Sequence, residues 1–319
     1  MGLGMLVGAA LALAIATTRV VLAYDETFVG LSRAQLDAVN PRLLAFMAHD
    51  RVALAGTMLT IGILYTGLAA IGLRRGLHWA QVAVQLSAFA GFGTFFLFLG
   101  FGYFDPFHAF VTVVLFQFLL LMLHSRLAPP APIPAASLHN DRRWRLGLWG
   151  QLLHVAQATA FLVAGTTIAL VGVTEVFVPE DLEFMQTTAE ALRSVSPRLV
   201  PLIAHDRTSF GGMIVASGLC FLGIALWGFR QGARWVWWTL LLAGIAGYAC
   251  AIGVHIVVGY ENLWHLLPAF AGLAVFVLAQ ALCYPYLAAP DPTLLDEWRE
   301  RARRRDAASQ LTASDQVQK

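Results

Sequence analysis

Long apolar stretches alternate with short polar ones along most of the chain, and each is close to the roughly 20 residues needed to cross a bilayer. They lie near residues 3–23, 52–73, 80–103, 107–125, 147–173, 208–229, 235–259 and 265–287. The pattern predicts an all-α integral membrane protein with eight transmembrane helices. The first stretch lacks a basic leading region and a clear small-residue cleavage site, so it reads as a true span and not as a secretory signal. Short interfacial helices are expected in the loops after the first and fifth spans. Ser32 with Gln35 forms a capping box, and Pro179 followed by Glu180 and Asp181 marks a second helix start. Asn40-Pro41 and Ser196-Pro197 each offer an N-cap followed by proline at the first helical position.

The polar interruptions recur. Pro41-Arg42-Leu43 and Ala48-His49-Asp50-Arg51 return 156 residues later as Pro197-Arg198-Leu199 and Ala204-His205-Asp206-Arg207. At the same offset Gly56, Gly62, Gly67, Gly72, Arg74, Gly76, Trp79 and Gly91 match Gly212, Gly218, Gly223, Gly228, Arg230, Gly232, Trp235 and Gly247. After a one-residue slip, Tyr103 and His108 match Tyr260 and His265. The first span aligns with the fifth through Thr17-Thr18, Glu26 and Phe28-Val29 against Thr166-Thr167, Glu175 and Phe177-Val178, at a different offset of 149. The expected organisation is a four-helix repeat over 1–126, a Pro-rich linker over 127–146, a second four-helix repeat over 147–288 and a polar tail over 289–319. An even number of spans per repeat makes the copies parallel, and a duplicated membrane unit tends to carry its working site where the copies meet. The shared glycines read as packing residues that let helices approach closely.

Composition fits this picture. The 319 residues are 58% hydrophobic and 13% charged, with a mean hydropathy of +0.68, whereas soluble domains carry roughly a quarter charged residues. Lys319 is the only lysine. With abundant alanine, that preference for arginine points to a high-GC bacterial genome. Arg74, Arg75, Arg126, Arg142, Arg143, Arg145, Arg230, Arg234 and the Arg299–Arg305 cluster fall on one side of the eight-span arrangement. Arg33, Arg42, Arg51, Arg193, Arg198 and Arg207 fall on the other, outnumbered by acids. The positive-inside rule then puts the linker and both termini in the cytoplasm, across the inner membrane. The partner implied is the lipid bilayer, with a larger membrane complex or a second copy of the chain as further candidates. Nothing suggests nucleic acid. Cys220, Cys250 and Cys283 sit within spans as small hydrophobes.

The outer face carries the candidate chemistry. From Leu43 to Leu73 the chain is apolar except for His49-Asp50-Arg51 and a few hydroxyls, and 31 helical residues would run about 46 Å. Either this helix tilts strongly or residues 41–48 form a separate interfacial piece, and Pro201 in the second copy favours a break. Asp50 and Asp206 would then start helices. A capping role explains the aspartates alone, whereas three charged or titratable residue types recur together. The turns into the fourth and eighth spans add Asp105 and His108 in one copy and Glu261 and His265 in the other, with His255 somewhat deeper. The expected binding set is His49, Asp50, Arg51, His108, His205, Asp206, Arg207 and His265. The possible metal ligands are His49, Asp105, His108, His205, Glu261, His255 and His265. Histidine with carboxylate suits a transition metal. Haem between facing histidines, with Arg51 or Arg207 at its propionates, and a quinone headgroup are the other options. No catalytic signature is present, leaving three readings: a redox-type or metal-binding membrane protein, a small-solute or ion transporter, or a non-catalytic subunit of a membrane complex.

Overall fold

The computed structural model describes residues 1–97, 102–125 and 140–290. Arg126, residues 127–139 of the predicted linker and residues 291–319 of the predicted tail lie outside the described residues. Within them the chain is helical and contains no strand. The elements are α1 (Gly2–Thr18), α2 (Ala23–Val29), α3 (Arg33–Val39), α4 (Pro41–Gly67, continued by a π-helical turn Leu68–Leu73), α5 (His78–Leu97) and α6 (Pro106–His124). They continue with α7 (Arg142–Val173), α8 (Pro179–Met185), α9 (Ala189–Val195), α10 (Leu199–Trp227), α11 (Arg234–Val258) and α12 (Leu263–Leu287).

Six helices are long and apolar enough to cross a membrane: α4 with its π turn, α6, α7, α10, α11 and α12. A seventh span results if α1 and α2, bent by 62° at their junction, are taken together. The predicted span 80–103 contains α5, which is described to Leu97. Exposed side chains such as Leu86, Phe89, Val113, Phe118, Val257 and Val277 give the bundle an apolar exterior far larger than water tolerates. This is a multi-pass membrane protein.

Sequence signals set most helix ends. Ser32 and Gln35 form the capping box of α3, and Asn40 caps α4 by accepting from Arg42 N at 2.9 Å. Asp105 caps α6 and Asn262 caps α12 through the backbone N–H groups of His108 and His265. Three expectations are corrected. First, α4 is one continuous helix, so Asp50 lies inside it and not at its start. Second, Pro201 breaks nothing. It is the third residue of α10, where the missing N–H has no partner to lose, and Asp206 is likewise interior. Third, α7 begins at Arg142, with Asp141 accepting from Trp144 N at 2.8 Å. The basic residues Arg142, Arg143 and Arg145 therefore belong to a helix and not to the linker.

Helices α4 and α10 form the centre. Each packs on the other, α4 also on α1 and α11, and α10 on α7 and α5. Thus α11 of the second half lies against α4 of the first, and α5 of the first against α10 of the second. Two hydrophobic clusters result. One fills the bundle around Leu64, Leu68, Phe221, Ile224 and Leu240. The other lies under the short helices, around Leu36, Phe46, Leu192, Leu202, Tyr103 and Tyr260, and roofs the polar segments of α4 and α10.

The closest helix crossing sets a clear test. A Cβ on Gly211 of α10 would lie 2.4 Å from the backbone nitrogen of Ala169 and 2.6 Å from the oxygen of Gly165, both on α7. Gly211→Ala should therefore destabilise by about 1–3 kcal/mol through overpacking. Gly253→Ala in α11, where a Cβ would meet nothing within 4 Å, should be neutral or gain up to about 1 kcal/mol of helix propensity. Thermal unfolding of the two variants in detergent micelles measures the difference.

Candidate metal centres

Three consecutive residues of one helix point in three directions, so a buried His-Asp-Arg triplet needs polar partners on several sides. In α4 and α10 it finds them crosswise. Arg51 donates from Nε to Asp206 Oδ2 at 2.7 Å and from Nη1 to Asp25 Oδ2 at 2.8 Å and to the carbonyl of Val20. Arg207 repeats the arrangement 156 residues on. It pairs with Asp50 Oδ1 at 3.5 Å and with Asp181, and donates to the carbonyl of Val176 at 2.8 Å. Each planar guanidinium thus bridges a loop acid of its own half to a helix acid of the other, a fork geometry lysine lacks. The carbonyls that serve them come from Val20 and Val176, whose φ values are +64° and +69°. A β-branched residue in the left-handed region costs about 1–3 kcal/mol and persists where its surroundings over-determine it.

The loop acids are held in turn. Asp25 accepts from Leu22 N, and Asp181 from Val178 N, both at 2.8 Å. The Tyr103 hydroxyl donates to Asp25, and that of Tyr260 to Asp181 at 2.9 Å. Burial, and then the adjacent Asp181 carboxylate, push the Tyr260 hydroxyl far above the usual phenol range, so it remains a donor. Asp25, Asp50, Asp181 and Asp206 are all buried. Four carboxylates face two guanidiniums in this network, so two negative charges have no arginine to match them, an expensive condition away from water.

The histidines sit beside this surplus. His49 Nδ1 lies 3.0 Å from Asp50 Oδ1, and His205 Nδ1 lies 3.0 Å from Asp206 Oδ1. A carboxylate can only accept, so each Nδ1 carries a proton, and each Nε2 is a lone pair in the neutral ring or a second N–H in the imidazolium. His49 Nε2 points at His255 Nε2, 2.9 Å away. The Nδ1 of His255 lies 2.5 Å from the carbonyl of Ala251, which fixes that ring in the same tautomer. Two ring nitrogens therefore face one another at hydrogen-bond distance, joined either by a proton on one of them or by a bound metal ion. His265 completes a group of three donors that all lie within 4.8 Å of one another. Asp105, His108 and His205 form a second such group, with His108 Nδ1 3.4 Å from His205 Nε2. Tetrahedral ligands at about 2.0–2.1 Å from zinc lie roughly 3.3 Å apart, which both nitrogen pairs approach. Burial raises the carboxyl of Asp105 above its ordinary range.

Each cluster takes one ligand from one half and the rest from the other. His49 meets His255 and His265, while His205 meets Asp105 and His108, so the two motifs of one half do not share a cluster. Asp50, Asp206, Arg51 and Arg207 stand behind the ligands, where a carboxylate oriented on a ligating histidine is a recurrent device. Glu261 departs from expectation. It is exposed and lies outside both clusters, because Asn262 holds the capping position and turns the acid outward. Sequence reasoning missed Asp25 and Asp181 as site residues. The signal was the 156 offset itself, which carries Val20, Leu22 and Asp25 onto Val176, Val178 and Asp181. The 149 offset through Glu26 and Glu175 concealed it. Comparison with known protein families, with curated proteins and with solved structures finds no match to this chain.

Removing one partner of a buried charge network leaves the others uncompensated. Arg207→Met should cost about 3–5 kcal/mol of stability, because it strands both Asp50 and Asp181. Arg193→Met should cost close to nothing, since its pair with Glu190 is exposed. Unfolding by sodium dodecyl sulfate titration distinguishes them, and equal midpoints would refute the network.

Proposed function

We propose that this chain is a metal-dependent, redox-type protein of a bacterial cytoplasmic membrane, holding two transition-metal ions near the outer surface. One centre is His49, His255 and His265, and the other is Asp105, His108 and His205. The observation that carries the reading is the facing pair of His49 and His255, each with its Nδ1 committed elsewhere. The surplus of two buried negative charges beside the clusters points the same way, because it offsets part of the charge that two divalent ions bring. A third ligand in each cluster favours metal over a shared proton. Imidazole-rich sites suit zinc, copper, iron and nickel, and two histidines with one carboxylate form the ligand set of non-haem iron. Haem is disfavoured, since axial rings stand on opposite faces of a porphyrin and the His49 and His255 nitrogens leave it no room.

The proposed topology has eight spans in two parallel four-helix repeats about an axis along the membrane normal, with linker and termini cytoplasmic. Arg74, Arg75, Arg142, Arg143, Arg145, Arg230 and Arg234 all lie at the ends of α4, α7, α10 and α11 remote from the clusters, which supports that orientation. The crosswise contacts that recur at 156 residues support the repeat. Transport is the weaker alternative, because the charged groups gather at one face and the helices that carry them are unbroken.

Two outcomes are expected. Elemental analysis of the purified protein should give about two transition-metal ions per chain, with His49→Ala and His205→Ala each losing one. Asp50→Asn should weaken its centre by about 10–100-fold. A metal-free wild-type protein, purified without chelator and after growth with added metals, would end the proposal. Separately, a periplasm-active reporter should be silent when inserted between residues 127 and 139 and active in the loop between α8 and α9.

A further inference from the structure

A cavity of about 170 Å³ opens from the Asp105–His108–His205 cluster into the bundle. Its outer end is lined by Tyr24, Arg51, Asp105, His108, His205 and Asp206, together with Ser209. The Ser209 hydroxyl is buried and has no hydrogen-bond partner. Further in, the walls are apolar: Met5, Gly8, Met58, Val111, Leu115 and Met213. The lining runs along α1 from Ala16 to Met1, about 22 Å of helix. The other faces of α1 and α6 carry exposed Leu3, Val7, Leu11, Phe110 and Val113, so the slot lies one helix away from the lipid tails.

We propose that this slot binds a neutral, ring-headed amphiphile drawn from the bilayer, of the quinone or quinol class, with its head at Asp105, His108, His205 and Ser209 and its tail along α1. Size limits the enclosed part to a ring and the first stretch of tail, because a cavity of about 150 Å³ accommodates a benzene ring and the whole slot holds about 170 Å³. Charge sets the head's neutrality. With a metal ion at the cluster, the carboxylates of Asp105 and Asp206 offset its charge, and Arg51 is already committed to Asp206 and Asp25, so the outer end favours neither an anionic nor a cationic head. That balance needs the ion, and to that extent the proposal rests on the metal-centre reading. The unpartnered Ser209 hydroxyl supplies a donor for a ring oxygen, and the apolar walls suit a hydrocarbon tail.

Two glycines let the slot be plugged. A Cβ on Gly8 would stand 3.4 Å from Met58 Cε, and one on Gly91 3.7 Å from Ala216 Cβ, ordinary contacts for a Cβ, and both glycines line the slot. The probe is a radiolabelled benzoquinone with a ten-carbon tail, bound to the full-length protein in nanodiscs. The wild type should bind it saturably, one per chain, without competition from decane, decyl phosphate or decyltrimethylammonium. Gly8→Leu and Gly91→Leu should each weaken binding about tenfold or more while retaining wild-type metal content, and Ser209→Ala should weaken it less. Should one glycine variant fail to fold, the other and the near-isosteric Ser209→Ala still decide. Absent saturable binding, effective competition by either charged compound, or plugged variants that bind as wild type would overturn the proposal. A protein that binds metal without the probe fails this inference alone, and one that binds the probe without metal fails the metal-centre reading alone.

Discussion

The crossed pairing of Arg51 with Asp206 and Arg207 with Asp50 is the constraint on which the rest of the outer layer depends. A guanidinium buried inside a membrane helix must be matched in charge and in hydrogen bonds. Here one carboxylate comes from the opposite central helix and one from a short helix of the same half, with a backbone carbonyl accepting a further N–H. That demand explains why the chain turns by 62° after α1 and why two valines accept left-handed backbone conformations. It also explains the short helices α2, α3, α8 and α9, which bring Asp25 and Asp181 inward and cover them. Further contacts tie the halves at the rim. Asn40 donates to the carbonyl of Met185 at 2.7 Å, and Ser196 to that of Val29 at 2.9 Å.

The same carboxylates orient the histidines. Because Asp50 and Asp206 each serve an arginine and an imidazole, the charge network and the metal-type clusters form one construction. The two clusters are nevertheless chemically unequal. Asp105 aligns with Asn262, and His255 has no histidine counterpart in the first half. One centre therefore offers three imidazoles and the other two imidazoles and a carboxylate, ligand sets with different metal preferences. Differences between the halves at two positions suffice for that inequality.

Much of this was legible in the sequence where spacing carries the information. Apolar run length gives the membrane class, and residue identity at a fixed offset gives the triplets and the Tyr-to-His turns. What the offset lacks is the choice between contacts within a half and contacts across halves, since both preserve the same pattern. His49 was thus expected near His108 and meets His265. The continuity of α4 was obscured by Pro201, because a proline reads as a breaker unless its distance from the helix start is known. Glu261 was credited as a ligand on composition, although the neighbouring Asn262 takes the cap and leaves the acid in solvent. The slot beneath Ser209 has no sequence signature, because its walls come from six helices, most of whose contributions look like ordinary core.

The crossed construction has a consequence for how the chain is made. His49, Asp50 and Arg51 enter the membrane more than 150 residues before Asp206 and Arg207 are synthesised. During that interval α4 carries ionised groups whose eventual partners do not yet exist. Asp25 and Val20 are already present and can hold Arg51 from the start, whereas Asp50 must wait for Arg207. The local loop contacts therefore act as a provisional clasp in biogenesis. The group of His49, His255 and His265 closes last, after α12 has been inserted, whereas Asp105, His108 and His205 can meet as soon as α10 is in place.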